Sequence, residues 1–238
     1  MNVDIWSDIM CPFCYIGKRK LESALAKFPN NDSVHINWHS FQLDPSIQYQ
    51  PGRNLYEYLA ERKGQSLEWS VTVHGQLANT AKAEGLTYNF DKAVIANSFD
   101  AHRLIQLAKK YELGDAAEER LFRAYFTEGE NVSDHDTLVR LGSETGLPVA
   151  AVKEMLQGDD YASEVHADIE QAEALGIRGV PFFVINGQYG ISGAQPSEVF
   201  LDGLQHAWKE YEQAKNTTDI STQDGAVCTP DGVCEPTE

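Results

Sequence analysis

The sequence predicts an α/β protein: a central mixed sheet flanked by helices, into which a large all-helical segment is inserted. Three observations carry that prediction. A short apolar strand runs into Cys11-Pro12-Phe13-Cys14, and a helical pattern follows it. The stretch between residues 45 and 162 reads almost wholly as helix. After it come a β-hairpin and a last helix, with Val180-Pro181 just before the hairpin.

The elements follow in order. Val3 and Ile5 share one parity in Asn2–Trp6, as in a strand. From Tyr15 to Phe28, Ile16, Leu21, Ala24, Leu25 and Phe28 recur at helical spacing, and Pro29-Asn30-Asn31-Asp32 stops them. Val34, Ile36 and Trp38 alternate with polar neighbours in a second strand, completing a βαβ unit. Helical patterns then cover 55–63, 67–85, 92–111, 114–127, 133–145 and 148–157, with start signals at Ser133-Asp134-His135-Asp136 and Leu147-Pro148. Ser163–Leu175 makes a further helix, ended by Gly176. Phe182–Ile185 and Tyr189–Ser192 flank Asn186-Gly187, a two-residue turn whose positions favour positive φ. Gln195-Pro196-Ser197 opens a last helix to about Lys215. Without the helical block the order is βαβ–α–ββα, which is the thioredoxin layout. The expected organisation is a thioredoxin-like domain from residues 1–44 and 163–215 and an inserted helical domain of 45–162. A flexible tail of 216–238, poor in apolar residues, is expected to hold a second cysteine pair.

Composition narrows the function. A formal net charge of −17 argues against a nucleic-acid surface, which needs clustered Lys and Arg, and against binding to anionic membranes. No apolar run approaches the ~18 residues of a spanning helix. Met1–Trp6 lacks the basic and apolar regions of a signal peptide, so the cytoplasm is the expected compartment. There a Cys-x-x-Cys pair reads as redox or metal chemistry, since a chain of 238 residues can fold on its core without disulfide staples.

The position of the motif points to redox chemistry. Cys11 falls at a helix N-cap with Pro12 in the first helical position, where its missing N–H costs nothing. The unpaired N–H groups and the positive helix end favour a thiolate there by roughly 0.3–2 kcal/mol. Cys14, one turn in, is placed to resolve a mixed disulfide formed on Cys11. Phe13 adds no positive charge, so the couple is expected to be less oxidising than one with a basic residue at that position. Zinc is the competing reading, with Cys11, Cys14, Cys228 and Cys234 as four thiolates. Against it, the C-x5-C spacing of the second pair exceeds the usual two to four residues.

Cys11-Pro12-Phe13-Cys14-Tyr15-Ile16-Gly17-Lys18, with Ser7-Asp8 upstream, resembles the DsbA-like thioredoxin family and its FrnE-like cytoplasmic branch. So do Phe41-Gln42-Leu43-Asp44-Pro45, Ala101-His102-Arg103-Leu104 and the stretch from Leu175 to Val184. The resemblance spans residues 1–215. It implies a protein disulfide oxidoreductase with Cys11 and Cys14 as catalytic residues, and a cis Val180–Pro181 bond lying against them. It further implies that Val180 and Pro181 bind substrate, the Val180 backbone pairing with an extended chain. The expected partners are protein or small-molecule disulfides and thiols. No metal or organic cofactor is expected beyond a thiol redox partner such as glutathione or another dithiol protein. The related 2-hydroxychromene-2-carboxylate isomerases and kappa-class glutathione transferases typically carry Ser in place of the first cysteine, so the alternative is a glutathione-dependent transferase or isomerase of small aromatic compounds.

Weaker signals remain. Cys228 and Cys234 flank Pro230-Asp231-Gly232, a turn-prone stretch that would let them serve as an auxiliary redox pair. His102 and Arg103, one turn after Asn97 and Ser98, are expected on the surface or satisfied within their helix rather than in the cleft. His35, His39 and His135 form no metal set. Glu118-Glu119 is expected on a solvated helix face, and Trp6 and Trp38 in core packing beside the site.

Overall fold

The structure, a computed structural model, describes the backbone of residues 1–218, 227–228 and 234–235 and the side chains of residues 1–213. Strands β1 (Asn2–Ser7), β2 (His35–Ser40), β3 (Phe182–Ile185) and β4 (Tyr189–Ser192) form one sheet in the order β2-β1-β3-β4. β1 runs parallel to β2 and antiparallel to β3. Helix α1 (Pro12–Leu25) is the crossover between the parallel strands.

The helical block comprises α2 (Leu55–Lys63), α3 (Leu67–Ala83), α4 (Phe99–Lys109), α5 (Gly114–Phe122), α6 (His135–Glu144) and α7 (Val149–Gln157). Helix α8 (Ala162–Ala174) leads back to the sheet, and α9 (Ser197–Thr218) follows the hairpin. Among the described residues no helix is long and apolar enough to cross a membrane.

Strand alternation sorts the side chains between two faces. Val3, Ile5, Phe183 and Ile185 join the main core, where α1 packs against α9. Ile5, Phe183 and Phe200 are fully buried there, each worth ~1.5–3 kcal/mol of apolar burial. Trp6 faces the other way, into a small cluster with Ala172 and Ile177. Its ring stacks on His39 at 4.5 Å, and its Nε1 donates to the carbonyl of Asp168 in α8. The main core continues without a break into Leu104, Phe122, Leu138 and Leu147 of the helical block.

Several helix boundaries differ from the sequence pattern, and three of them have a clear local reason. The helix expected from residue 92 begins at Phe99, because Asn97 uses its side chain elsewhere. Its Oδ1 accepts the Phe99 N–H at 2.8 Å, and its Nδ2 donates to the carbonyl of Ile47. The helix expected over 114–127 turns into a π-helical segment at Arg123–Glu128, closed by Gly129 at φ +75°. A Cβ on Gly129 would sit 2.5 Å from the Lys92 carbonyl oxygen, so that close crossing requires glycine. At the start of α6, Asp134 caps the helix by accepting the Thr137 N–H.

Most of the expected tail lies outside the described residues. Within it, the backbones of β5 (Val227–Cys228) and β6 (Cys234–Glu235) pair antiparallel, with Cys228 directly opposite Cys234.

Candidate active site

The Cys11–Cys14 turn is shaped by the end of β1. The Cys11 N–H donates to the Asp8 carbonyl at 2.9 Å, and Cys11 takes the extended conformation of an N-cap with Pro12 at the first helical position. Its side chain caps nothing. Cys14 donates its own N–H to the Cys11 carbonyl at 3.0 Å. The two residues are 4% and 1% exposed and their thiols are free. Cys14 titrates well above an ordinary thiol, because burial penalises its thiolate and Cys11 stands beside it. Ser7 and the Asp8 backbone favour its thiolate in return.

Val180 and Pro181 close the turn from the opposite side. Their peptide bond is cis, as the thioredoxin layout implies. The Cys11 Sγ lies 3.4 Å from the Val180 carbonyl oxygen, within reach of a thiol hydrogen bond. Gly17 lets α1 lie flat on this segment, since a Cβ there would stand 3.1 Å from both Pro181 Cγ and Phe183 Cζ.

The helical block roofs the site. Tyr88 donates its hydroxyl to the Pro12 carbonyl at 2.6 Å and stacks on Phe126 with centroids 4.6 Å apart. Beneath this roof a cavity of about 440 Å³ opens onto Cys11, Phe13 and Val180. Leu55, Leu59 and Leu77 from α2 and α3, with Tyr125 and Phe126, make it largely apolar. Arg62 pairs with Asp44 at its edge, and the Tyr58 hydroxyl donates to Asp44 at 3.2 Å. Although burial works against it, the Asp44 carboxyl stays below its usual value, because Ser46 and the Arg62 guanidinium favour the anion. His74 also lines the cavity, and burial holds its imidazole below the ordinary value.

Two expectations fail beneath the site. Glu118 is not on a solvated face: it is 1% exposed, and its Oε1 accepts the Ser7 hydroxyl at 2.7 Å. Burial pushes its carboxyl up to about 7. The stripe Gly114, Ala117, Leu121 and Phe122 is buried, and Glu118 falls within it. Glu119 does reach the flank of α5, where it accepts the Tyr15 hydroxyl at 2.6 Å and pairs with Arg19.

His102 is not on the surface either. It is 2% exposed, with Nε2 at 3.5 Å from Asp8 Oδ1. Burial disfavours its charge, yet Asp8 and Glu118 raise its pKa above the ordinary value. Asp8 in turn accepts the N–H groups of Met10 at 3.2 Å and Leu43 at 2.8 Å, tying the loop after β2 to the cysteine turn. Arg103 points into the helical block instead. It donates to the carbonyls of Asp160, Gly158 and Met155 and pairs with Asp100.

The structure brings together the cysteines and the proline segment singled out in the sequence and roofs them with the helical block, as the family resemblance implies, while the contacts of Glu118, Asp8 and Tyr88 were not foreseen. Only the register of Glu118 on an apolar stripe was available as a signal. The backbone places Cys228 and Cys234 opposite each other but does not connect them to Cys11.

Known proteins share this fold. The family model of the DSBA-like thioredoxin domain matches residues 2–205. The crystal structure of a probable DsbA oxidoreductase, SCO1869 of Streptomyces coelicolor, superposes with a TM-score of 0.84 at 39% identity, covering 100% of both chains. The uncharacterized protein YwbO of Bacillus subtilis strain 168 is 29% identical over 212 residues, 88% of this chain and 98% of the relative. The cytosolic disulfide reductase DsbM of Pseudomonas aeruginosa shares the fold at 17% identity and a TM-score of 0.58, over 91% of this chain and 100% of its own.

Proposed function

The chain belongs to the DSBA-like thioredoxin domain family, and from that membership we propose that it is a thiol–disulfide oxidoreductase working through Cys11 and Cys14. One observation carries the reading: a thiol at a helix N-cap position, at the floor of an apolar cavity, stands beside a second, buried thiol whose pKa burial raises.

The reaction follows from that asymmetry. The Cys11 thiolate attacks one sulfur of a disulfide R–S–S–R′ and expels R′S⁻. Cys14, as its thiolate, then attacks the Cys11 sulfur and expels RS⁻, leaving a Cys11–Cys14 disulfide. The two electrons of the cysteine pair have reduced the substrate, and a thiol such as glutathione returns them by the reverse steps. Val180 offers its backbone to the chain bearing the disulfide, and Pro181, which lacks an N–H, leaves that edge open to an extended segment. No metal or organic cofactor takes part. Cys228 and Cys234 act as a second dithiol that exchanges with the first, a role supported by their opposed backbone positions. The cytoplasm, where thiols are kept reduced, is the working compartment.

Trapping tests the reading. Cys14→Ser protein mixed with glutathione disulfide is expected to hold glutathione on Cys11 as a stable mixed disulfide, visible by mass spectrometry. Cys11→Ser protein is expected to carry none on Cys14. Equal labelling of the two would contradict the assignment of attacking and resolving thiols.

A further inference from the structure

The cavity above Cys11 holds two polar groups that the exchange reaction leaves unused. His74, on α3, lines it and is 5% exposed. Its Nδ1 donates to the Ser70 carbonyl of its own helix at 2.8 Å, which fixes the tautomer and leaves Nε2 a bare acceptor. Because Nδ1 faces the helix, Nε2 points away from it. Phe90 and Tyr56 pack edge-on against the ring, with centroids 4.6 and 4.9 Å away. Burial holds the imidazole below its ordinary pKa, so the lone pair stays free in neutral solution.

Tyr125 carries the second group. It is 2% exposed and lies in the π-helical segment, whose register turns it and its neighbour Phe126 towards the same cavity. Neither His74 Nε2 nor the Tyr125 hydroxyl has a hydrogen-bond partner among the described residues. The side-chain atoms there that are both fully buried and unpartnered are His102 Nε2, Glu119 Oε2 and Arg120 Nη1, so the two cavity groups each reach open space. The open space that both residues line is the one onto which Cys11 opens. Phe90 packs edge-on against Tyr88 at 5.4 Å, and Tyr88 holds the Pro12 carbonyl. Two rings thus separate His74 from the cysteine turn, a span that a small molecule bridges.

Resting on the oxidoreductase reading, we infer that this cavity selects a small apolar disulfide bearing a hydroxyl, which donates to His74 Nε2 and accepts from the Tyr125 hydroxyl while its sulfur meets Cys11. A few polar groups in an otherwise apolar cavity of about 440 Å³ fix how a ligand lies. Leu55, Leu59 and Leu77 cover the apolar body. The Cys11 thiolate attacks one sulfur of R–S–S–R, forming Cys11–S–S–R and releasing RS⁻; Cys14 then attacks the Cys11 sulfur and releases the second RS⁻. Glutathione disulfide suits the cavity less well, because its carboxylates and ammonium groups lose water there without gaining free partners. Arg62 and Asp44 at the edge are already paired with each other.

The test uses full-length Cys14→Ser protein, in which attack stops at the mixed disulfide, and follows the Cys11 peptide by mass spectrometry. The probes are the disulfides of 4-(2-mercaptoethyl)phenol and of 2-phenylethanethiol, which differ only in the hydroxyl, and glutathione disulfide. Each rate is divided by that of the same disulfide with free N-acetylcysteine, so intrinsic reactivity cancels. The hydroxyl probe is expected to react ~3- to 10-fold faster than the phenyl probe, as one neutral hydrogen bond allows. Both should exceed glutathione disulfide by ~10-fold or more through apolar burial. His74→Phe and Tyr125→Phe should each bring the hydroxyl-to-phenyl ratio close to 1. His74→Gln, whose amide oxygen accepts in place of Nε2, should restore part of that ratio, which a merely structural histidine would not require. If the His74 variants do not fold, Tyr125→Phe decides together with Leu77→Trp, which fills the cavity and should slow both apolar probes relative to glutathione disulfide. A hydroxyl preference absent from the wild-type cavity, or unchanged in His74→Phe and Tyr125→Phe, overturns the inference, as does fastest reaction with glutathione disulfide. If no disulfide labels Cys11, the oxidoreductase reading itself fails.

Discussion

The Cys11 sulfur and the Val180 carbonyl oxygen stand 3.4 Å apart, so the thiol proposed to attack and the backbone proposed to receive substrate meet at one point. That meeting depends on how closely α1 approaches the segment of Pro181. Gly17 sets the approach, and Gly17→Ala should press on Pro181 and on Phe183, which is fully buried and has no room to yield. Although alanine favours helix over glycine by ~1 kcal/mol, the overpacking of ~1–3 kcal/mol should win. Chemical denaturation should therefore show a lower midpoint for the variant, together with slower attack of Cys11 on glutathione disulfide.

Phe13 is 46% exposed between the two cysteines. A protonated imidazole in its place would favour the thiolate and hence the reduced form, making the couple more oxidising. An interaction of ~0.5–1 kcal/mol raises the midpoint by ~10–20 mV. Phe13→His should show that rise in glutathione buffers near neutral pH, fading at higher pH as the imidazole loses its proton and at lower pH as the thiolate gains one.

His39 links β2 to α8 and to β1, with Nδ1 2.7 Å from Asp168 and Nε2 3.1 Å from Asp4. Burial alone would lower its pKa, but the two carboxylates raise it above 6.5. A raised histidine contributes stability that is present below its unfolded value and fades as pH climbs through the folded one. Asp4 and Asp168 are both held below 3.8, so their contribution is present above that value and lost as pH falls through their folded values. The cluster is therefore strongest between about 4 and 6.5. The melting temperature of wild type minus that of His39→Gln should be largest there and decline towards pH 8–9.

Arg103, with a side chain 6% exposed, joins α4 to the end of α7 through three carbonyls. Arg103→Met should leave those acceptors and Asp100 without their donor, at a cost of ~2–4 kcal/mol in urea unfolding.

Local periodicity made the βαβ start, the hairpin and the cysteine turn legible, because each is written in neighbouring residues. Val3 and Ile5 on one parity, Asn186-Gly187 between two apolar runs, and Pro12 after Cys11 need no distant partner to be read. Glu118 and Glu119 show the opposite case. Adjacent and chemically identical, they part ways only through helical register and contacts with Ser7 and Tyr15, 111 and 104 residues away. The contact of Asn97 was not legible for a similar reason: a polar residue in a helical pattern gives no hint that its amide reaches Ile47. The cavity above Cys11 arises from α2 and α3 folding over the sheet, which no local pattern reports.

The central claim is that Cys11 and Cys14 form a working redox couple. The most direct measurement equilibrates the full-length protein with graded glutathione buffers and follows both cysteines by alkylation and peptide mass spectrometry. A reversible two-electron transition of Cys11–Cys14 is predicted, with a midpoint between roughly −270 and −120 mV. Persistence of two free thiols at Cys11 and Cys14 in fully oxidising buffer would contradict the account.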